Sequence, residues 1–228
     1  MKRFLASAAT AALVLGAAPS FAQDLIIGRS SEHPQSSRTG NNQQTSEMIF
    51  GRLVEFDPNF QISPGLAESW ENVDPTTWDI TLREGVTFHD GSALTVEDVI
   101  WSLDRADEVP NSPAPYTDQV AAVDRMEKID DRTLRVTTKT PAPSLMEDIG
   151  RVFIVKQAAV DGKASEDFMQ PEVAVGTGPY KFVSWTPGET LRLAAYDGYW
   201  GDQPEFKDVQ VRFISNDAAR VAALLSGA

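Results

Sequence analysis

The chain has two imidazoles, His33 and His89, that could serve as bases or metal ligands. Neither lies in an H-E-x-x-H pattern, which places two ligands and a base on one helix face, and neither accompanies a G-x-S-x-G elbow, which exposes a serine nucleophile. His89-Asp90 has the composition of a metal-ligand pair, but no second histidine is near it, and Asp90-Gly91 reads as a turn. Glu97-Asp98 and Asp130-Asp131 offer the paired carboxylates of acid–base catalysis. Nothing singles one pair out, and helix-surface or turn positions account for both. Gly176-Thr177-Gly178-Pro179-Tyr180 invites comparison with a nucleotide loop, yet it lacks the third glycine of the dinucleotide fingerprint and the Gly-Lys-Ser/Thr of a P-loop. Glycines there suit a sharp turn and close backbone approach, with Pro179 fixing φ. The chain has no cysteine, so thiol catalysis, thiolate-bound metal and disulfides are excluded. These residues favour binding over reaction and imply no metal and no cofactor. A secreted hydrolase is the weaker alternative.

The elements that must position such residues centre on residues 77–105. Trp78, Ile80 and Leu82 alternate with Asp79, Thr81 and Arg83, the period of a strand with one buried face. Gly85 breaks it, residues 86–88 form a second extended piece, and Thr95 with Asp98 three residues on predicts a capped helix start. Val96, Val99, Ile100 and Leu103 make its apolar face, with Glu97 and Asp98 mainly elsewhere. Residues 24–28 read as a short buried strand, 53–56 as a strand ended by Asp57-Pro58-Asn59, and 62–70 as a turn and short helical piece. Residues 119–126 form an amphipathic segment, and a strand follows within 128–138. Further on come a short helix at 144–149, a buried strand at 151–155, a hairpin about Pro187-Gly188, a strand at 209–214 and a helix through Leu225.

Residues 1–22 read as a cleavable signal peptide: Lys2 and Arg3, an apolar stretch too short to span a bilayer, and Ser20-Phe21-Ala22 before Gln23. Export to the periplasm is the expectation. Its removal leaves 206 of the 228 residues, and loss of Lys2 and Arg3 takes the formal charge from −13 to −15. That length can bury a core in one or two domains. The acidic balance argues against nucleic acid or an anionic membrane as partner.

Three motifs, PGLAESWE, LREGVTFHDGSALTVEDVIWSLDR and GTGPYKF, stand in the order and at about the spacing of the family 5 solute-binding proteins of bacterial ABC importers, which the chain resembles after residue 23. The resemblance implies an α/β fold, a type II-like periplasmic-binding-protein lobe of cluster C. Its discontinuous core would be residues 23–50 and 173–228, with an inserted α/β subdomain at 51–172 and the family's second lobe missing. It also implies a monomer that binds a peptide or other small solute without chemistry and presents it to ABC permease subunits. A non-binding remnant or a permease-docking module is the alternative, and weak affinity is expected of one lobe alone.

His33-Pro34 falls where the family usually has Asp-Pro, a departure from its pattern. By the resemblance, the residues after that dipeptide run along the cleft and pair with ligand main chain, which points to Arg38, Thr39, Gly40 and Asn41. The bland reading is a polar loop. Three prolines within 108–117 stiffen a loop that presents Tyr116, a candidate for stacking on ligand or a half-packed surface residue. In nickel-binding relatives an arginine near position 151 faces the bound anion. Arg151 is therefore either an anion contact or half of a surface ion pair. No residue selects among peptide, glutathione, nickel chelate, opine or sugar.

Overall fold

A computed structural model describes residues 24–29, 43–108, 116–163, 167 and 170–226. The expected signal peptide lies outside them. The elements in chain order are β1 (Leu25–Arg29), α1 (Gln43–Ile49), β2 (Val54–Phe56), β3 (Ile62–Pro64), β4 (Ala67–Asp74), β5 (Thr77–Leu82), α2 (Val96–Asp104), α3 (Thr117–Val120), β6 (Val123–Lys128), β7 (Thr133–Thr138), α4 (Leu145–Ile149), α5 (Gln157–Val160), β8 (Tyr180–Thr186), β9 (Thr190–Ala195), β10 (Asp208–Phe213) and α6 (Asp217–Ser226). The fold is mixed α/β. One four-stranded sheet has the order β1-β10-β9-β8, with β1 parallel to β10 and the other pairs antiparallel. The other runs β4-β5-β7-β6, antiparallel throughout, and β2-β3 is a separate hairpin.

Alternation at Trp78, Ile80 and Leu82 produces β5 at the centre of the second sheet, with Ile80 and Leu82 buried. Asp79 faces Arg135 across β5 and β7, and the guanidinium donates to both carboxylate oxygens at 2.7 Å. Thr95 caps α2 as predicted: its hydroxyl accepts from Asp98 N at 3.2 Å while Asp98 accepts from Thr95 N at 3.2 Å. Asp98 is nevertheless buried, contrary to its expected place off the apolar face. Its second oxygen accepts from Gln157 N at 3.0 Å, so the cap also fastens the start of α5.

Four other expectations are corrected. Residues 67–74 are not helical but form β4, because antiparallel pairing with β5 outweighs local propensity. Within 119–126, the segment splits into the single turn α3 and the strand β6, which pairs with β7. Residues 151–155 are buried beyond Arg151 but form no strand, making only the bridge between Phe153 and Arg52. In β1 burial alternates, leaving Ile26 exposed, because β1 is an edge strand with one face covered.

Two apolar clusters organise the interior. The first gathers Leu53, Leu66, Ile80, Val99, Leu103, Leu134 and their neighbours between α2, α4 and the second sheet. The other joins Ile49 and Phe50 to Tyr180, Leu191, Leu193, Val209 and Val211 of the first sheet. Phe153, Val155 and Val160 pack in that second cluster although the sequence reading put them within the inserted unit.

The Gly176–Gly178 loop crosses directly on the backbone after α1. A Cβ on Gly176 would lie 2.0 Å from Ile49 O, so no side chain fits. Gly178 N donates to Ile49 O at 2.8 Å, and the Thr177 hydroxyl accepts from Gly51 N at 3.2 Å. His89 holds the loop from the other side. Its backbone N–H donates to Gly176 O at 2.9 Å, Gly176 N donates to Nδ1 at 3.3 Å, and the remaining ring proton on Nε2 reaches Gly178 O at 3.0 Å. Tyr196 packs edge-on to the imidazole at 5.1 Å and donates to Phe88 O at 2.7 Å. Both ring nitrogens serve the loop, which accounts for His89 without a metal.

Gly176→Ala should therefore cost about 3 kcal/mol or more in urea unfolding, since backbone must move to admit the methyl. A cost under about 1 kcal/mol would show that the crossing is loose. Burial pushes the His89 imidazole down from 6.5 to about 4, with Lys181 adding to the effect and the Gly178 carbonyl and Asp90 opposing it. The unfolded chain then binds the extra proton between those values, so the neutral ring's contribution is whole above pH 6.5 and is lost as pH falls to 4. For a half-buried ring this is about 2 kcal/mol. Urea midpoints across that window should show the slope in the native chain and a shallower one in His89→Gln. Identical slopes would contradict the assignment.

Candidate functional site

Three segments converge on Arg52, two of them carrying sequence motifs. Gly176–Gly178 fixes the chain at Ile49 through Gly51, as described above. Leu66 N donates to Arg52 O at 2.9 Å, while Gly65 N and Ala67 N both donate to Leu53 O, so the PGLAESWE motif clamps the same segment. Ile154 N donates to Gly51 O at 2.9 Å beside the Arg52–Phe153 bridge. Arg52 is consequently buried, at 8% exposure, with its guanidinium 4.4 Å from the centre of the Phe153 ring. One turn back on α1, Glu47 accepts a hydrogen bond from Arg52 Nη2 at 2.6 Å.

Next to it the β2-β3 hairpin carries Phe56 and the turn Asp57-Pro58-Asn59-Phe60. One Asp57 carboxylate oxygen accepts from Asn59 N at 2.7 Å and Gln61 N at 2.8 Å, closing the turn. Phe60 sits at φ +60° with its ring 72% exposed. A left-handed aromatic residue held open to solvent is strained backbone with no packing return. Arg151, exposed at the end of α4, stacks over Phe56 at 5.1 Å. Among the described residues it makes no ion pair, so the surface-pair alternative is not what is observed. Together with Glu47, Arg52 and Pro58, these residues line an open recess of about 230 Å³. A recess with two guanidinium groups and two aromatic rings can receive an anion or acceptor group attached to an apolar body.

Of the residues chosen from the sequence, Arg151 stands in this recess. Tyr116 does not: its ring is 7% exposed and packs in the first cluster, a core position instead of a stacking platform, because α3 folds the aromatic inward against that cluster. Arg38, Thr39, Gly40 and Asn41 lie outside the described residues, in the connection between β1 and α1. Sequence reading missed Arg52, Glu47 and Phe60. An arginine inside the apolar run 49–56 was the available signal for Arg52. Among the described residues no three His, Asp or Glu are gathered to hold a metal ion, and no helix is long and apolar enough to cross a membrane.

The model of the middle region of bacterial extracellular solute-binding proteins, family 5, matches residues 61–228. The glutathione-binding protein GsiB of Pectobacterium atrosepticum is 28% identical over 99% of this chain and 45% of its own length. The periplasmic binding protein DppA of Helicobacter pylori, solved in complex with the peptide STSA, is 26% identical, with a TM-score of 0.78 over 90% of this chain and 45% of that one. MoaA of A. tumefaciens R10, solved with mannopinic acid, is 30% identical, with a TM-score of 0.78 over 90% of this chain and 43% of that one. The chain thus spans less than half the length of the relatives it matches. By the family model, which matches most of the chain, the chain belongs to the family 5 bacterial extracellular solute-binding proteins.

Proposed function

We propose that this chain forms one wall of the substrate-binding component of a periplasmic ABC importer, reached through the N-terminal signal peptide. It takes a peptide or peptide-like solute and delivers it to permease subunits without chemistry on the ligand. The observation carrying this reading is the fold likeness to the peptide-bound Helicobacter protein over 90% of the chain, together with the open recess at Arg52 and Arg151. Arg38, Thr39, Gly40 and Asn41 would pair with the main chain of an extended ligand, and Arg151 would meet an anionic group on it. Such proteins act by closing about a ligand and offering the closed form to a partner, so occupancy alone transmits the signal.

Heteronuclear NMR on the isotopically labelled chain tests this with three titrants: the tetrapeptide Ser-Thr-Ser-Ala, glutathione and a nickel–histidine complex. A single wall leaves much of the ligand hydrated, so the peptide should saturate with a dissociation constant of about 1 mM or weaker. Shifts should fall on α1 and on residues 50–56. Saturation by glutathione or nickel–histidine without the peptide would reassign the solute. No saturable response to any of the three would reject the solute-binding reading in favour of a docking role at the permease.

A further inference from the structure

We infer that the recess between α1 and the β2-β3 hairpin is a specificity subsite for a carboxylate carried next to an aromatic or bulky apolar group, with Arg52 and Phe60 as its previously unassigned members. The inference rests on the solute-binding reading and narrows the class of solute.

The Arg52 guanidinium leaves donors without partners in the recess. Arg52 is more than nine-tenths buried, yet Glu47 takes the single hydrogen bond its guanidinium makes among the described residues, and Nε has no partner. A buried guanidinium usually fills its donors, because an unsatisfied charged donor is costly. Arg151 brings a second guanidinium, which among the described residues lies over the Phe56 face. Of the local carboxylates, Glu47 pairs with Arg52, Asp57 accepts from the backbone amides of its own turn, and Glu55, in the field of Arg52 and Glu47, is held above the usual carboxylate range by burial. What enters must therefore supply acceptors, and a planar carboxylate matches the guanidinium fork. Beside these donors Phe56 is half-buried, and Phe60 stands almost fully exposed on strained backbone at the mouth. Strain of this kind persists where the surroundings impose it and is concentrated at ligand sites. Covering the exposed ring with an apolar ligand group would recover hydrophobic free energy that the free protein forgoes.

The test compares N-acetyl-L-phenylalanine with its uncharged amide by NMR titration of the full chain. The acid should bind at least about fivefold more tightly than the amide, with shifts at residues 52, 56–60 and 151. Arg151→Gln, at an exposed position, and Phe60→Gly, which relieves the positive φ, should each fold normally and each weaken the acid by about fivefold or more. Equal affinities for acid and amide, or unchanged acid affinity in both variants, would overturn the inference. Saturation by Ser-Thr-Ser-Ala that is indifferent to both variants, with no acid preference in the recess, would also overturn it while leaving the solute-binding reading intact. Acid-selective binding in the recess with no response to the three solutes above would uphold the subsite and remove only that broader reading.

Discussion

The close crossing of Gly176–Gly178 over the carbonyl of Ile49 is the constraint on which the remaining structure depends. It is the place where the last third of the chain touches the end of α1 with no side chain between them, so the first sheet and the segment leading to Arg52 share one fixed point. The backbone hydrogen bond to Ile49 and the Thr177 hydroxyl accepting from Gly51 N set the distance, and His89 prevents the loop from lifting. A contact of this kind tolerates little variation, because close-packed backbone cannot yield by rotating a side chain. The imidazole suits the position because one nitrogen accepts and the other donates while the ring stays neutral.

From that point the order of assembly toward the recess can be followed. Ile49 and Phe50 are anchored in the second cluster, while Leu53 and Val54, a few residues later, belong to the first. Arg52 lies at the seam, with its backbone held by Leu66 and Phe153 and its guanidinium over the Phe153 ring of the second cluster. The return segment 152–155 uses the same seam in the opposite direction, with Val155 N donating to the Ser102 hydroxyl of α2. Polar groups placed between two apolar clusters are difficult to desolvate twice, so such seams keep a recess open to water. Here the seam also gathers the aromatic rings that shield guanidinium groups.

Charge distribution gives the recess its contrast. The chain carries a formal charge of −13, and several surface cations are drawn into pairs, such as Arg132 with Glu68 and Lys128 with Glu97 and Asp131. Such exposed pairs add little stability individually. Arg151 stands outside these pairs, with its guanidinium over the Phe56 ring. Arg52 and Arg151 share the recess with Glu47 and Asp57, so an anion is met by individual guanidinium groups at contact range, the wider field being screened within about 8 Å at physiological ionic strength.

The residue pattern by itself determined the strands whose apolar residues alternate and the helices with capping signals. β5, β7, the β8-β9 hairpin, β10 and α2 all follow from period and turn chemistry that act within a few residues. It also determined the identity of the Gly176–Gly178 loop, since only glycine permits so close a crossing. Contacts distant in sequence decided the rest. β4 became a strand because β5 offered an edge, Asp98 turned inward because Gln157 needed an acceptor, and Tyr116 entered the core because α3 closed over it. Arg151 was legible as a candidate from its type and position. Arg52, Glu47 and Phe60 were not, since a recess is made by surfaces meeting, and no local period records which backbone will arrive beside an arginine from a hundred residues away.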